Sequence, residues 1–228
     1  MTKTIAVLHT SFVFINVEPV LKNLFKEYLP GARVIDFVDG DILASVNREG
    51  GVQPAHIERM VHLAKAAEAA GADLIFSACS SLGPAIDIAR KEVSVPIIKI
   101  DDPMTSKAVA DGARIGVMAT VPTTLEPTIN LLQAKAAEAG KAIEIIPSLS
   151  RGAFDALMSG DRERHDQMLL EGARELAPQV DLIVLAQASM SRLAPALSQE
   201  VGKEVLGSPR LAVEHLRTLV EAGPEQTA

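Results

Sequence analysis

The feature that most limits the fold of this chain is that it repeats itself. Ala72-Asp73-Leu74-Ile75-Phe76-Ser77-Ala78-Cys79-Ser80-Ser81 aligns without gaps with Val180-Asp181-Leu182-Ile183-Val184-Leu185-Ala186-Gln187-Ala188-Ser189, an offset of 108. Asp, Leu, Ile, Ala and the last Ser are shared. Ile5-Ala6-Val7-Leu8-His9-Thr10 aligns with Ile115-Gly116-Val117-Met118-Ala119-Thr120 at an offset of 110, and Glu18-Pro19 returns as Glu126-Pro127 at 108. Three separate segments on nearly one period point to two similar halves, 1–110 and 111–228. Chance likeness between short apolar strands is the competing explanation, since βαβ units share such patterns.

Within each half, strand and helix patterns alternate. Ile5–Leu8, Val34–Phe37, Leu74–Phe76 and Val95–Ile100 read as strands. Glu18–Tyr28 reads as a helix ended by Pro30-Gly31, Pro54–Ala70 as a long helix stopped by Gly71, and Pro84–Glu92 as a third. The second half has strand patterns near 114–119, 142–146, 181–186 and 204–207. Near-continuous apolar strands separated by helices predict an α/β fold of two pseudo-symmetric halves, each a parallel sheet flanked by helices, with right-handed crossovers. The tail Gly223–Ala228 is expected to fray.

Composition narrows the function classes. With 48% hydrophobic and 22% charged residues the chain is globular. A net charge of −7, no basic cluster and 3% aromatic residues disfavour nucleic acid as a partner. No apolar stretch approaches the roughly 18 residues of a membrane span. The run Ile5–Leu8 is too short for a signal-peptide core, so a cytoplasmic protein is expected. The single cysteine excludes an internal disulfide and a cysteine-rich metal site.

Ligands of open α/β sheets bind beyond the carboxyl ends of the strands. The residues there are His9-Thr10-Ser11 and Cys79-Ser80-Ser81 in the first half, and Thr120-Val121-Pro122-Thr123-Thr124 and Gln187-Ala188-Ser189 in the second. Small hydroxyls with backbone N–H groups suit a carboxylate or similar oxyanion, although the same residues serve as helix caps. Cys79 follows an apolar strand and precedes Gly83-Pro84, where a helix should begin. That position biases a thiol toward thiolate; the alternative is a buried structural cysteine. The repeat pairs Cys79 with Gln187. No glycine-rich nucleotide loop is present. His56 and His62 lie six apart on one helix, unsuited to one face, and His165 and His215 read as surface helix residues. His9, at the end of the first strand, either lines the site or is structural. Asp101-Asp102-Pro103 reads as a turn and helix cap rather than a metal site. Arg151 and Arg210 are candidates for a substrate carboxylate that the sequence does not place.

These motifs, in this order, resemble the aspartate/glutamate/hydantoin racemase superfamily, which includes arylmalonate decarboxylase and maleate isomerase. The resemblance covers nearly the whole chain. It rests on two α/β halves, Cys79-Ser80-Ser81 after a central strand, Ala119-Thr120-Val121-Pro122-Thr123, and Leu185-Ala186-Gln187-Ala188-Ser189-Met190. It implies a substrate held in the cleft between the halves, no cofactor, no metal, and a homo-oligomer, a dimer or larger. It also implies one thiol on each side of the substrate's α-carbon. Cys79 matches the first family thiol, but Gln187 stands where the second belongs, and an amide neither gives nor takes a proton near neutral pH. A two-thiol amino-acid racemase is therefore not expected.

The resemblance makes Ser80, Ser81, Thr120 and Thr123 substrate-binding hydroxyls, and Ser11, His9, Gln187, Ala188 and Ser189 complete the candidate set around a small carboxylate-bearing substrate. Three chemistries stay open for a single thiol: isomerisation with Cys79 taking and returning a proton, decarboxylation or carbon–carbon cleavage with Cys79 as proton donor, and covalent addition to an activated double bond. A relative that binds carboxylates without turning them over is the non-enzymatic alternative. With no Trp and one Tyr, a small aliphatic acid is favoured over an aryl substrate.

Overall fold

The structure, a computed structural model, describes residues 2–17 and 19–222. The tail at 223–228 and Glu18 lie outside the described residues. Among the described residues, eight strands form two parallel four-stranded sheets. The first contains β1 (Thr4–His9), β2 (Arg33–Val38), β3 (Leu74–Ser77) and β4 (Ile97–Lys99), in the order β2-β1-β3-β4. The second contains β5 (Arg114–Ala119), β6 (Glu144–Leu149), β7 (Leu182–Leu185) and β8 (Glu204–Gly207), in the order β6-β5-β7-β8. Among the described residues the α-helices are α1 (Val20–Tyr28), α2 (Ile42–Arg48), α3 (Pro54–Ala69), α4 (Gly83–Ala89), α5 (Asp102–Asp111), α6 (Pro122–Glu138), α7 (Ala153–Met158), α8 (Arg162–Leu176), α9 (Ala194–Val201) and α10 (Ser208–Ala222). None of the described helices is long and apolar enough to cross a membrane.

The repeat is visible in the hydrogen-bond register. Ile5 pairs with Leu74 and Leu8 with Ser77; in the second sheet Ile115 pairs with Leu182 and Met118 with Leu185. Even the shared Asp has one job in both halves. The Asp73 carboxylate accepts the Thr4 N–H at 2.8 Å, and the Asp181 carboxylate accepts those of Ala113 and Arg114 at 2.9 and 2.8 Å. Each anchors the start of its half's first strand. Both carboxyls are held below the usual range, Asp73 by the Thr4 N–H and then Lys3, Asp181 by the Arg114 and Ala113 N–H groups.

By packing, the chain divides into Met1–Ile100 with Pro209–Ala228, and Asp101–Ser208. Four strands fall in each unit, with α5 in the second and nearly all of α10 in the first. In the first unit α3 and α4 lay Met60, Ala64, Leu82, Ala85 and Ile86 on Ala6, Leu8 and Ile75 of the sheet. In the second, Leu169, Ala173 and Leu176 of α8 cover Met118, Ile183 and Leu185. At roughly 1.5–3 kcal/mol for each fully buried large apolar side chain, these faces hold the sheets flat against their helices.

The differences from the sequence reading have local causes. β6 runs over 144–149 rather than 142–146 and contains Pro147. It is an edge strand, where a residue without an N–H is tolerated. β4 is only three residues long, and α4 stops at Ala89. His165, expected at the surface, is 1% exposed: it falls on the face of α8 that carries Leu169, Ala173 and Leu176, and its Nδ1 lies 2.8 Å from Asp166. His56 is equally buried. Its Nδ1 accepts the Gln53 N–H at 2.9 Å, which puts the proton on Nε2, facing Ser45 Oγ at 2.9 Å, and so caps α3. His215 is exposed as expected.

Candidate active site

Both sheets present their central strand ends in the same way. The Ala78 N–H donates to Leu8 O at 3.1 Å, and the Ala186 N–H to Met118 O at 2.8 Å. Continuing either register two steps sets Thr10 opposite Cys79 in the first half, and Thr120 opposite Gln187 in the second. Each half is described by itself below.

In the first half Cys79 is a half-buried thiol, in no disulfide, packed against the rim of the apolar core. Ser80 and Ser81 follow in the turn that leads into α4, Ser81 nearly buried and Ser80 partly open. The Gly83 N–H closes this turn on Ser80 O at 3.1 Å. α4 starts from Leu82 with no side-chain cap, so the serines are not engaged as its cap. Lys99, which the sequence reading passed over, braces this region. It is buried at the end of β4, and its ammonium holds both carboxylate oxygens of Asp87 on α4 at 2.8 and 3.0 Å.

On β1, His9 is 4% exposed and its Nε2 lies 3.0 Å from Asp36 on β2. That contact ties the end of β1 to its neighbour, next to the hydroxyls of Thr10 and Ser11. Ser11 Oγ accepts the Val13 N–H at 3.4 Å, starting a π-helical turn over Val13–Val17 that no sequence pattern announces. Thr10, one of the strand-end residues of the sequence analysis and the counterpart of Thr120 in the repeat, is buried.

In the second half the geometry is explicit. Gln187 Oε1 accepts the Thr120 N–H at 2.6 Å and the Thr120 hydroxyl at 2.8 Å. The backbone donor decides which way the amide faces: only the oxygen can meet an N–H. The side chain is 8% exposed and Thr120 5%. With the oxygen doubly held, the amide nitrogen keeps its donors for another group. Ala188 and Ser189, both partly exposed, follow in a 3-10 turn that Met190 closes by donating to Gln187 O at 3.0 Å. Thr123, partly exposed, sits in the first turn of α6, which also begins without a side-chain cap, from Val121. Pro127 has no N–H for the Thr123 carbonyl four residues earlier, so that carbonyl is left without its helical partner.

The remaining candidates separate out. Asp101 stands at the N-cap position of α5 and Asp102 in its first turn, but no side-chain bond caps the helix; Thr105 Oγ1 donates to the Asp101 carbonyl at 2.9 Å. Arg210 is engaged by the Tyr28 hydroxyl and lies 3.7 Å from Glu27. Arg151 is exposed in the turn after β6. Among the described residues no group of three or more His, Cys, Asp or Glu side chains is placed to hold a metal ion.

Residues 26–216 match the family model described as Asp/Glu/Hydantoin racemase. The fold is similar to that of glutamate racemase from Francisella tularensis subsp. tularensis SCHU S4, solved with D-glutamate: TM-score 0.71, 16% identity, covering 97% of this chain and 82% of that one. It is similar to allantoin racemase from Klebsiella pneumoniae at TM-score 0.70 and 18% identity, covering 97% and 89%. An aspartate racemase homologue from Pyrococcus horikoshii OT3 gives TM-score 0.70 and 17% identity, covering 97% and 100%. No curated protein matches the sequence.

Proposed function

The chain belongs to the Asp/Glu/hydantoin racemase family and is an enzyme of the isomerase type, and from that premise we propose that it moves a proton at the carbon next to a carboxylate or carbonyl, without a cofactor, using Cys79 as its one thiol. In the forward step the Cys79 thiolate takes the proton, and the C–H electron pair passes through the carbon to the carbonyl oxygen, giving an enediolate. In the return step the pair closes back and the Cys79 thiol gives the proton to the neighbouring carbon of a hydroxy-carbonyl substrate, or to the opposite face of the same carbon once the intermediate has turned; return to the original face gives exchange alone. Ser11, Ser80 and Ser81 in the first half, with Thr120, Thr123, Gln187, Ala188 and Ser189 in the second, bind the small carboxylate-bearing substrate. His9 contributes by fixing the end of β1. Each well-aimed donor to the developing oxyanion is worth on the order of 3 kcal/mol.

The observation that supports this reading most is the state of Gln187. Its oxygen is held by Thr120 and its nitrogen retains donors, so the end of β7 offers hydrogen bonds and no acid or base. Proton chemistry then rests on Cys79. The same observation favours a second reading, a decarboxylase or lyase. There a carbon–carbon bond breaks, carbon dioxide leaves, the electron pair stays on the substrate as an enediolate, and Cys79 delivers a single proton.

The test is deuterium uptake. The protein and its Cys79→Ala variant are incubated in deuterated water with small hydroxy, keto, amino and dicarboxylic acids, and the products are weighed by mass spectrometry. Uptake confined to the wild type is expected; loss of carbon dioxide with uptake selects the lyase reading. Uptake that survives in Cys79→Ala refutes the thiol mechanism.

A further inference from the structure

The segment that follows Ser11 carries side chains that the chemistry above does not use. Phe12 is 53% exposed and Ile15 39%, and these two are among the few large apolar side chains left open to solvent. Phe12 immediately precedes, and Ile15 lies within, the π-helical turn at the carboxyl end of β1, the strand beside β3 and Cys79. Such single π turns occur frequently at functional sites.

The Phe12 ring is not loose. Its backbone is fixed because the Phe12 carbonyl accepts the N–H groups of Ile15 and Asn16 at 3.1 and 2.9 Å. Its ring lies against Gly40, where a Cβ would overlap Phe12 Cε2. The turn bearing Gly40 is itself rigid: Asp39 accepts the N–H groups of Asp41 and Ile42 at 3.3 and 3.2 Å and pairs with Arg59 through two bonds of 2.8 and 2.5 Å. A braced turn thus holds one edge of an aromatic ring and leaves the rest of it uncovered.

We propose that Phe12, seated on Gly40 and flanked by Ile15, is a specificity-determining wall that receives a bulky apolar substituent, aryl or branched alkyl, of the carboxylate substrate. This rests on the proposed carboxylate chemistry and names its substrate class. It also reverses the preference for a small aliphatic acid that low aromatic content suggests. Average composition says little when one of the six phenylalanines stands exposed at the carboxyl edge of the sheet. Ser11, one residue before Phe12, lets one end of such a ligand be polar while the other is apolar, the usual make-up of a small-molecule site.

The experiment reads binding, so that it does not depend on turnover. Dissociation constants of phenylacetate and acetate are measured by calorimetry for the wild type, Phe12→Ala, Phe12→Leu and Gly40→Ala. The wild type is expected to bind phenylacetate about tenfold to a hundredfold more tightly than acetate, the range that apolar pocket contacts supply. Phe12→Ala removes most of that preference, Phe12→Leu restores part of it, and Gly40→Ala reduces it by displacing the ring. Equal affinities in the wild type, or a preference unchanged in Phe12→Ala, overturn the inference. So does a Phe12→Ala variant that keeps the preference and dissociates an oligomer in size-exclusion chromatography, which assigns the ring to a second copy. Deuterium uptake by the wild type with these outcomes leaves the Cys79 chemistry standing, whereas a phenylacetate preference without any uptake keeps the wall and removes the chemistry.

Discussion

Replacing Gln187 separates its two duties. In Gln187→Leu the amide disappears, and the buried Thr120 N–H and hydroxyl lose their common acceptor. A buried N–H left unpaired costs about 1–3 kcal/mol, and the hydroxyl adds less because it can rotate. A loss of about 2–3 kcal/mol is expected, which for a chain of this size lowers Tm by roughly 4–10 °C. In Gln187→Glu a carboxylate takes over both donors, so the stability loss is smaller than in Gln187→Leu. The amide N–H donors are gone, however, and a negative charge stands in their place. A donor to a charged group is worth about 1.5–3 kcal/mol, so binding of a carboxylate that exchanges with the wild type weakens tenfold to a hundredfold or more. Thermal melts and calorimetric titration of the two variants give the answer. A Gln187→Leu protein as stable as the wild type refutes the buried pair, and a Gln187→Glu protein that binds the carboxylate normally refutes the donor role of the amide nitrogen.

Other substitutions test the scaffold. Gly116→Ala, at the position where the first half has Ala6, brings a Cβ to 2.6 Å from Leu176 Cδ2 and should cost about 1–3 kcal/mol in a urea melt. Gly207→Ala brings a Cβ to 2.7 Å from Ser191 Oγ and 3.1 Å from its Cα; it should lower Tm and weaken carboxylate binding together, since Ser191 lies in the 3-10 turn that follows Gln187. Asp73 and Asp181 have depressed carboxyl pKa values in the folded state, so the stability they add is present above the unfolded carboxylate value, about 4, and is lost as pH falls through the lower folded values. Melts between roughly pH 6 and pH 2 should therefore show a steeper loss of Tm in the wild type than in Asp73→Asn/Asp181→Asn; parallel curves contradict the anchoring role. His56→Leu removes the acceptor of the Gln53 N–H and the partner of Ser45 and should destabilise by about 2 kcal/mol in the same urea assay.

The parallel sheets were legible because their strands are buried on both faces and read as unbroken apolar runs, as Ile5–Leu8 and Leu182–Leu185 do. Edge strands were harder. β6 alternates between exposed and half-buried positions and contains Pro147, so its limits do not follow apolarity. The π turn at Val13–Val17 has no residue signature. Amphipathic placement misled for His165, because a polar residue on a polar helix was assigned outward when its spacing to Leu169 and Ala173 points inward. In the candidate site, strand-end logic located Cys79, Ser80, Ser81, Thr120 and Gln187. It gave no view of the bond between Thr120 and Gln187, residues 67 apart that meet only through the register of β5 and β7. Nor did it single out Lys99, whose setting is known only once β4 is placed beside β3.

The twin aspartate anchors have a bearing on design. Asp73 and Asp181 tie down corresponding strand starts with the same kind of bond, so the load of holding each sheet in register is carried at the amino ends of the strands. The carboxyl ends add ties of their own, His9 to Asp36 and Thr120 to Gln187, and beyond these they behave as two sockets on one chassis, fitted with a thiol and with an amide. Refitting a socket is then a single-residue change at position 79 or 187. The duplicated frame lets new chemistry be tried in one half while the other half keeps its own.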